Sequence, residues 1–167
     1  MSQILGLTSR GPGETRRLGR RLGRLLRPGD VVLLSGDLGA GKTVFVQGVA
    51  RGLGYEGPVS SKSFVLLGEY AGHVKLYHAD LYRLEAPEQA QELALDEMCT
   101  DGALVVEWPE RGEGVLPLDN LVIHIQVTGL SSRILTPEAY GPRAEELSRS
   151  LVGLPSPKRS VSKRGSR

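Results

Sequence analysis

Residues 31–43 read Val-Val-Leu-Leu-Ser-Gly-Asp-Leu-Gly-Ala-Gly-Lys-Thr, and the fold turns on how they are read. The run 31–35 is short, apolar and rich in β-branched residues, as a strand buried on both faces requires. Gly36 to Thr43 then matches G-x-x-x-x-G-K-S/T, a phosphate-loop pattern whose meaning depends on a strand before it and a helix after it. The helix is supplied by Val44, Phe45, Val46, Val49, Ala50 and Leu53, with Gly52 and Gly54 as a left-handed C-terminal stop. Glycines at 36, 39 and 41 predict backbone angles closed to other residues, so that successive N–H groups turn inward around a phosphate. The helix N-terminus behind them adds partial positive charge. Lys42 is expected against the β and γ phosphates as a point charge, and the Thr43 hydroxyl in the oxygen shell of a Mg²⁺ ion. The residues expected to touch the nucleotide are Asp37, Leu38, Gly39, Ala40, Gly41, Lys42, Thr43 and Val44. The competing explanation is a glycine-rich turn that matches by chance, and the flanking strand and helix signals weigh against it.

On the N-terminal side, Leu18, Leu22, Leu25 and Leu26 form one apolar stripe on a helix whose other faces carry arginines, stopped by Pro28-Gly29. Past the glycine loop, 64–70 and 74–77 are apolar runs joined by Ala-Gly-His and predict an antiparallel hairpin. The spacing predicts an acidic helical stretch over 88–98 and a buried strand over 103–106 that ends in Glu107-Trp108-Pro109. Strands over 121–127 and 133–136 and a helix over 144–151 complete the chain. These segments read as one domain over 1–154. The tail 155–167 has only Val161 to bury and is expected to be disordered.

A nucleotide site also needs carboxylates that hold Mg²⁺ and orient the attacking group, projecting from the ends of buried strands. Glu107 follows four apolar residues directly, and Asp80 follows the strand signal that begins at Val74. Each has an ordinary alternative: a turn or helix cap for Asp80, and a solvated strand end for Glu107. The N/T-K-x-D signature that reads guanine is missing, so ATP is the expected nucleotide. Gly52 to Gly57 fits G-x-G-x-x-G but follows a helix and precedes none, and it reads as a helix cap and turn. His73, His78 and His124 are read as packing or surface residues. G-x-S-x-G and metal-spaced His/Glu/Cys clusters are absent, which removes hydrolase-triad and metalloenzyme readings.

The 167 residues carry a net charge of +2, which hides a segregation. Lys158, Arg159, Lys163, Arg164 and Arg167 all follow the last acidic residue, Glu146, and without these five the chain has sixteen basic residues against nineteen acidic. Residues 80–119 hold eleven carboxylates and only Arg83 and Arg111, whereas Arg16, Arg17, Arg20, Arg21, Arg24 and Arg27 crowd the first thirty positions. The lone Cys99 excludes an internal disulfide and has no zinc-spaced neighbour. No apolar run approaches the ~20 residues that cross a bilayer, and a secretory signal is missing. The expected location is the cytoplasm.

Three motifs in order, Gly36-Asp-Leu-Gly-Ala-Gly-Lys-Thr43, His78-Ala-Asp-Leu-Tyr-Arg83 and Glu107-Trp-Pro109, resemble the TsaE (YjeE) family, small ATPases of bacterial tRNA threonylcarbamoyladenosine synthesis. The similarity runs from about residue 8 to 127 and omits the basic tail. The resemblance implies a single α/β domain of the P-loop NTPase type, with a mixed sheet between helices. It also implies work alongside TsaD and TsaB subunits, which modify adenosine 37 of ANN-decoding tRNAs. By the same resemblance, ATP binding and hydrolysis are expected to reset that complex, tRNA is expected to be met through it, and low activity is expected in isolation. Carried over by motif, Lys42 and Thr43 hold phosphate and Mg²⁺, Glu107 joins the metal shell, and Asp80 supports the metal or the attacking water. One motif departs: the family shows Ser-Pro-Thr-Phe where this chain has Ser61-Lys62-Ser63-Phe64. Ser63 keeps a hydroxyl able to reach Mg²⁺, while loss of the proline frees a φ angle and Lys62 adds a positive charge.

Two other function classes compete, a small-molecule phosphotransferase and a nucleic-acid-binding protein with a phosphate loop. A kinase is expected to close an arginine-rich lid over the phosphates, and the acidic 80–119 stretch argues against one. The basic segments have no interleaved aromatics, which argues against base stacking on single strands.

Overall fold

A computed structural model of the chain describes residues 5–60 and 67–153. The expected strand start at 64–66, the Lys62 and Ser63 positions and the tail 155–167 lie outside the described residues. The elements run β1 (Leu7–Ser9), α1 (Pro12–Gly23), β2 (Val31–Ser35), α2 (Lys42–Gly52), β3 (Leu67–Tyr70), β4 (Lys75–Asp80), α3 (Pro87–Glu92), α4 (Leu95–Met98), β5 (Gly102–Glu107), a 3-10 turn Pro109–Gly112, β6 (Asn120–Val127), β7 (Arg133–Tyr140) and α5 (Pro142–Val152).

The strands form one mixed sheet in the order β1-β7-β6-β2-β5-β4-β3. Its centre, β6-β2-β5-β4, is parallel, and both flanks are antiparallel. In β2 the side chains alternate between two cores: Val32 and Leu34 pack with α1, α2 and α5, while Val31 and Leu33 pack with α3 and α4. That alternation is why β2 reads as a continuous apolar run, since neither face meets water. The α/β fold expected from the glycine-loop context is the fold observed.

α1 and α2 approach each other through four glycines. A Cβ at Gly19 or Gly23 would fall 2.3 Å and 2.2 Å from the carbonyl oxygens of Phe45 and Val49, and one at Gly48 or Gly52 would fall 2.1 Å and 2.3 Å from those of Arg16 and Arg20. α5 is tied to the sheet at Asp30, whose buried carboxylate accepts two bonds of 2.9 Å from the Arg143 guanidinium and one of 2.7 Å from the Arg27 N–H.

Several boundaries differ from the periodicity. α1 ends at Gly23, ahead of Pro28-Gly29, and the next residues bond three back (Leu25 to Leu22, Leu26 to Gly23), a tightened turn that still buries Leu26. The expected helix over 88–98 breaks at Ala94, which has φ 49°. In one unbroken helix Ala90 and Leu95 would point about 140° apart; the break lets both enter the same core. β7 continues through Pro137 to Tyr140, and β1 had no periodicity to announce it because it has three residues. No helix among the described residues is long and apolar enough to cross a membrane.

Candidate functional site

β2, β4 and β5 run parallel and end level, with Leu34 and Asp80 both in register with Glu107. The loop 36–41 therefore leaves β2 beside two acidic strand ends, at the carboxyl edge where open α/β sheets bind ligands. A cleft of about 340 Å³ lies there, lined by the loop, the start of α2, Asp80, Tyr82, Glu107 and Trp108. The residues expected to touch nucleotide from Leu38 to Val44 all face it; Asp37 contributes to the loop through its carbonyl. Leu38 is 73% exposed at the rim.

The three loop glycines serve two purposes. Gly39 and Gly41 have φ of 80° and 104° and need glycine for their conformation. Gly36 corrects the expectation of an unusual angle: it is not among the positive-φ residues, and glycine is needed because a Cβ would sit 2.7 Å from the Ile125 carbonyl oxygen.

Lys42 opens α2 and is buried at the base of the loop. Its ammonium donates to the carbonyls of Gly36 and, at 2.9 Å, Asp37, and it rests 4.0 Å from the centre of the Trp108 ring. Burial pulls its pKa below the usual lysine range, and the carboxylates of Glu107, Glu110, Asp80 and Asp37 oppose that shift. One residue on, the Thr43 hydroxyl donates to Glu107 Oε1 at 3.3 Å.

Glu107 is not a solvated strand end. It is 3% exposed, and Oε2 lies 2.6 Å from Nε2 of His78, itself 4% exposed. His78 fits the reading of a packing histidine in being buried, and its ring also touches the acidic strand end. His124 is a surface residue 2.7 Å from Glu138. The signal for His78 was present, because it lies two residues before Asp80 and so shares its strand face, but its use required knowing that β4 pairs with β5. Asp80 does cap a turn, Oδ1 accepting the Tyr82 N–H at 3.1 Å, and it lines the cleft as well.

Two further residues shape the site: Arg133, which has no local sequence signal, and Trp108, which belongs to the Glu107-Trp-Pro109 motif but takes no role of its own from it. Arg133, on β7, donates to the carbonyl of Ala40 at 2.9 Å and holds the loop from behind. Trp108 adopts φ 57°, a left-handed conformation uncommon outside glycine, with its ring 4.8 Å from that of Tyr82. The 52–57 pattern is the expected helix stop: Gly54, at φ 90°, donates to Arg51 and Tyr55 donates to Ala50, the paired bonds of a Schellman cap.

Comparison with known proteins agrees with this geometry. Residues 9–135 match the family described as threonylcarbamoyl adenosine biosynthesis protein TsaE. The chain is 41% identical over 142 residues to the tRNA threonylcarbamoyladenosine biosynthesis protein TsaE of Bacillus subtilis, covering 84% of this chain and 89% of that one. It is likewise 41% identical to the protein of the same name from Treponema pallidum, over 77% of this chain and 96% of the other. The crystal structure of Bacillus subtilis YdiB superposes with a TM-score of 0.76 at 37% identity, covering 92% of this chain and 97% of that one. With the family matched across three quarters of the chain and the glycine loop, Asp80 and Glu107 meeting in one cleft, the chain belongs to the TsaE family.

Proposed function

We propose that this protein is a Mg²⁺-dependent ATPase that serves tRNA threonylcarbamoyladenosine biosynthesis as an accessory subunit, its hydrolysis of ATP supporting repeated turnover by TsaD and TsaB. The observation that carries this reading is the meeting of Lys42, Thr43 and Glu107 at the mouth of one glycine loop, within hydrogen-bonding reach of one another or of the loop.

The donor set suits the ion. Thr43 and Glu107 offer hard oxygen ligands of the kind Mg²⁺ takes, and Asp80 lies in register beside them. Bound there, Mg²⁺ would neutralise charge on the β and γ phosphates. The loop amides and Lys42 bind the triphosphate; the ammonium, now satisfied by carbonyls of its own loop, passes to phosphate oxygens when they enter. His78 holds Oε2 of Glu107 at 2.6 Å, and the Thr43 hydroxyl reaches both carboxylate oxygens, at 3.3 and 3.4 Å. Asp80 supports the metal or the attacking water, its carboxylate fixed by the Tyr82 N–H. Ser63 is assigned as a further ligand by motif alone.

Mixing the full chain with TsaD and TsaB and measuring ATP hydrolysis and complex formation together tests the proposal. Hydrolysis and association rising together is the expected result. An unchanged hydrolysis rate with no complex would reject the accessory role, and no hydrolysis under any condition would reject the ATPase.

A further inference from the structure

We propose that the α1–α2 face is a docking surface for the phosphate backbone of RNA, separate from the nucleotide cleft and a direct contact beyond the indirect one that the family resemblance implies. Arg16, Arg20 and Arg24 recur every four residues along α1 and the helical capping residue that ends it, a rise of about 6 Å per step, close to the interval between successive phosphates of a nucleic-acid strand. Their backbones flank the glycine seam: Gly48 packs on the Arg16 carbonyl, and Gly52 packs on the Arg20 carbonyl and the Arg24 N–H. Because those glycines let the helices touch, Arg51 of α2 joins the same strip. Arg16 reaches across the seam to Gln47 at 3.2 Å, and Arg16, Gln47 and Arg51 line a cleft of about 380 Å³.

All four arginines are exposed, and none forms an ion pair among the described residues. Arg51 is aimed by bonds of 3.0 Å to the carbonyls of Tyr55 and Gly57, so its charge is held in place and not neutralised. Four unneutralised guanidinium groups on one rigid pair of helices repel one another, and a polyanion relieves that cost. An acidic protein surface is the rival occupant. The strip favours RNA because the exposed large apolar side chains, such as Leu38, Leu118 and Leu130, all lie off α1 and α2. A protein interface is usually anchored by apolar or aromatic residues at its centre, whereas phosphate contacts need charge and spacing alone. A lack of interleaved aromatics, which argues against base stacking, is what backbone recognition of a folded RNA allows.

RNA docking on this face is independent of ATP hydrolysis, and MgATP binding measured on the same samples separates the two. The test is fluorescence anisotropy of a labelled, unmodified tRNA transcript titrated with the full chain at several salt concentrations. The parent should bind with affinity that falls steeply with salt. The variant R16Q/R20Q/R24Q/R51Q should lose at least about tenfold in affinity and flatten the log–log salt slope by about 3.6, since each of the four phosphates that goes unneutralised takes roughly 0.9 from it. R20Q/R24Q, which removes side chains with no hydrogen bond among the described residues, should show about half that change in slope, and its unchanged melting temperature would exclude misfolding. A tail variant, K158Q/R159Q/K163Q/R164Q, removes the same charge and should lose less than the strip variant. Parent-like RNA binding by both strip variants overturns the proposal. So does an equal loss on changing the tail, which would mean net charge alone, and so does polyglutamate competing as well as RNA of equal charge, which would mean an acidic protein partner.

Discussion

The Lys42 ammonium is buried and bonded to carbonyls of the loop it serves, while Glu107, at the end of the neighbouring strand β5, is gripped by His78 and reached by Thr43. Each of these side chains is thus positioned by a neighbour before any ligand arrives, which lowers the cost of ordering the site on binding. Glu107→Gln keeps the size and the Thr43 contact but removes the charge. It should retain ATP binding measured without Mg²⁺ and cut Mg²⁺-dependent hydrolysis at least about tenfold; parent-like steady-state hydrolysis would remove Glu107 from the metal shell. Burial holds the Lys42 pKa below the ordinary lysine range, so in the nucleotide-free protein this lysine loses its proton at lower pH than an exposed one. A triphosphate binds the protonated form better. ATP affinity should therefore fall as pH rises, beginning below the ordinary value of about 10.4, and Lys42→Arg should flatten that fall across the same range in a titration series. Lys42 and Thr43 were legible because their motif is contiguous, and Glu107 because an apolar run leads straight into it. His78 and Arg133 were not, because their meaning depends on which strands become neighbours.

The helices show where short-range pattern carries and where it stops. The leucine stripe of α1 correctly marked the buried face, yet the closeness of α1 to α2 rests on glycines, which periodicity treats as gaps. Gly48→Ala tests this directly. Helix propensity alone would make the change stabilising by about 1 kcal/mol, but a Cβ 2.1 Å from the Arg16 carbonyl oxygen should force the helices apart at a cost of about 3 kcal/mol. Urea unfolding with a midpoint at or above the parent's would show that the seam is looser than described. The break at Ala94 belongs to the same scale: a run that reads as one acidic helix is split because Ala90 and Leu95 must both reach a core on one side of the sheet. The hairpin β3–β4 was legible from two apolar runs and a short connection, and its antiparallel pairing follows.

Across the whole molecule, the parallel centre of the sheet does the positioning. With β2, β4 and β5 in register, the glycine loop and two acidic residues distant from it in sequence come to a single edge. The α/β class was readable from strand, glycine loop and helix alone, while the strand order and the antiparallel flank formed by β1 and β7 follow from packing that no local signal encodes. The charge segregation also acquires a geometry: the acidic segment 80–119 supplies Asp80 and Glu107 to the cleft, and the N-terminal arginines lie on a helix pair apart from it. The central claim, that the loop 36–43 is a site for MgATP, is tested most directly by calorimetric titration of MgATP into the parent chain and into Lys42→Ala. Saturable binding by the parent with one nucleotide per chain, weakened about 100-fold or more in the variant, a loss of about 2.7 kcal/mol, is the predicted result. Equal affinity in the two proteins would contradict it.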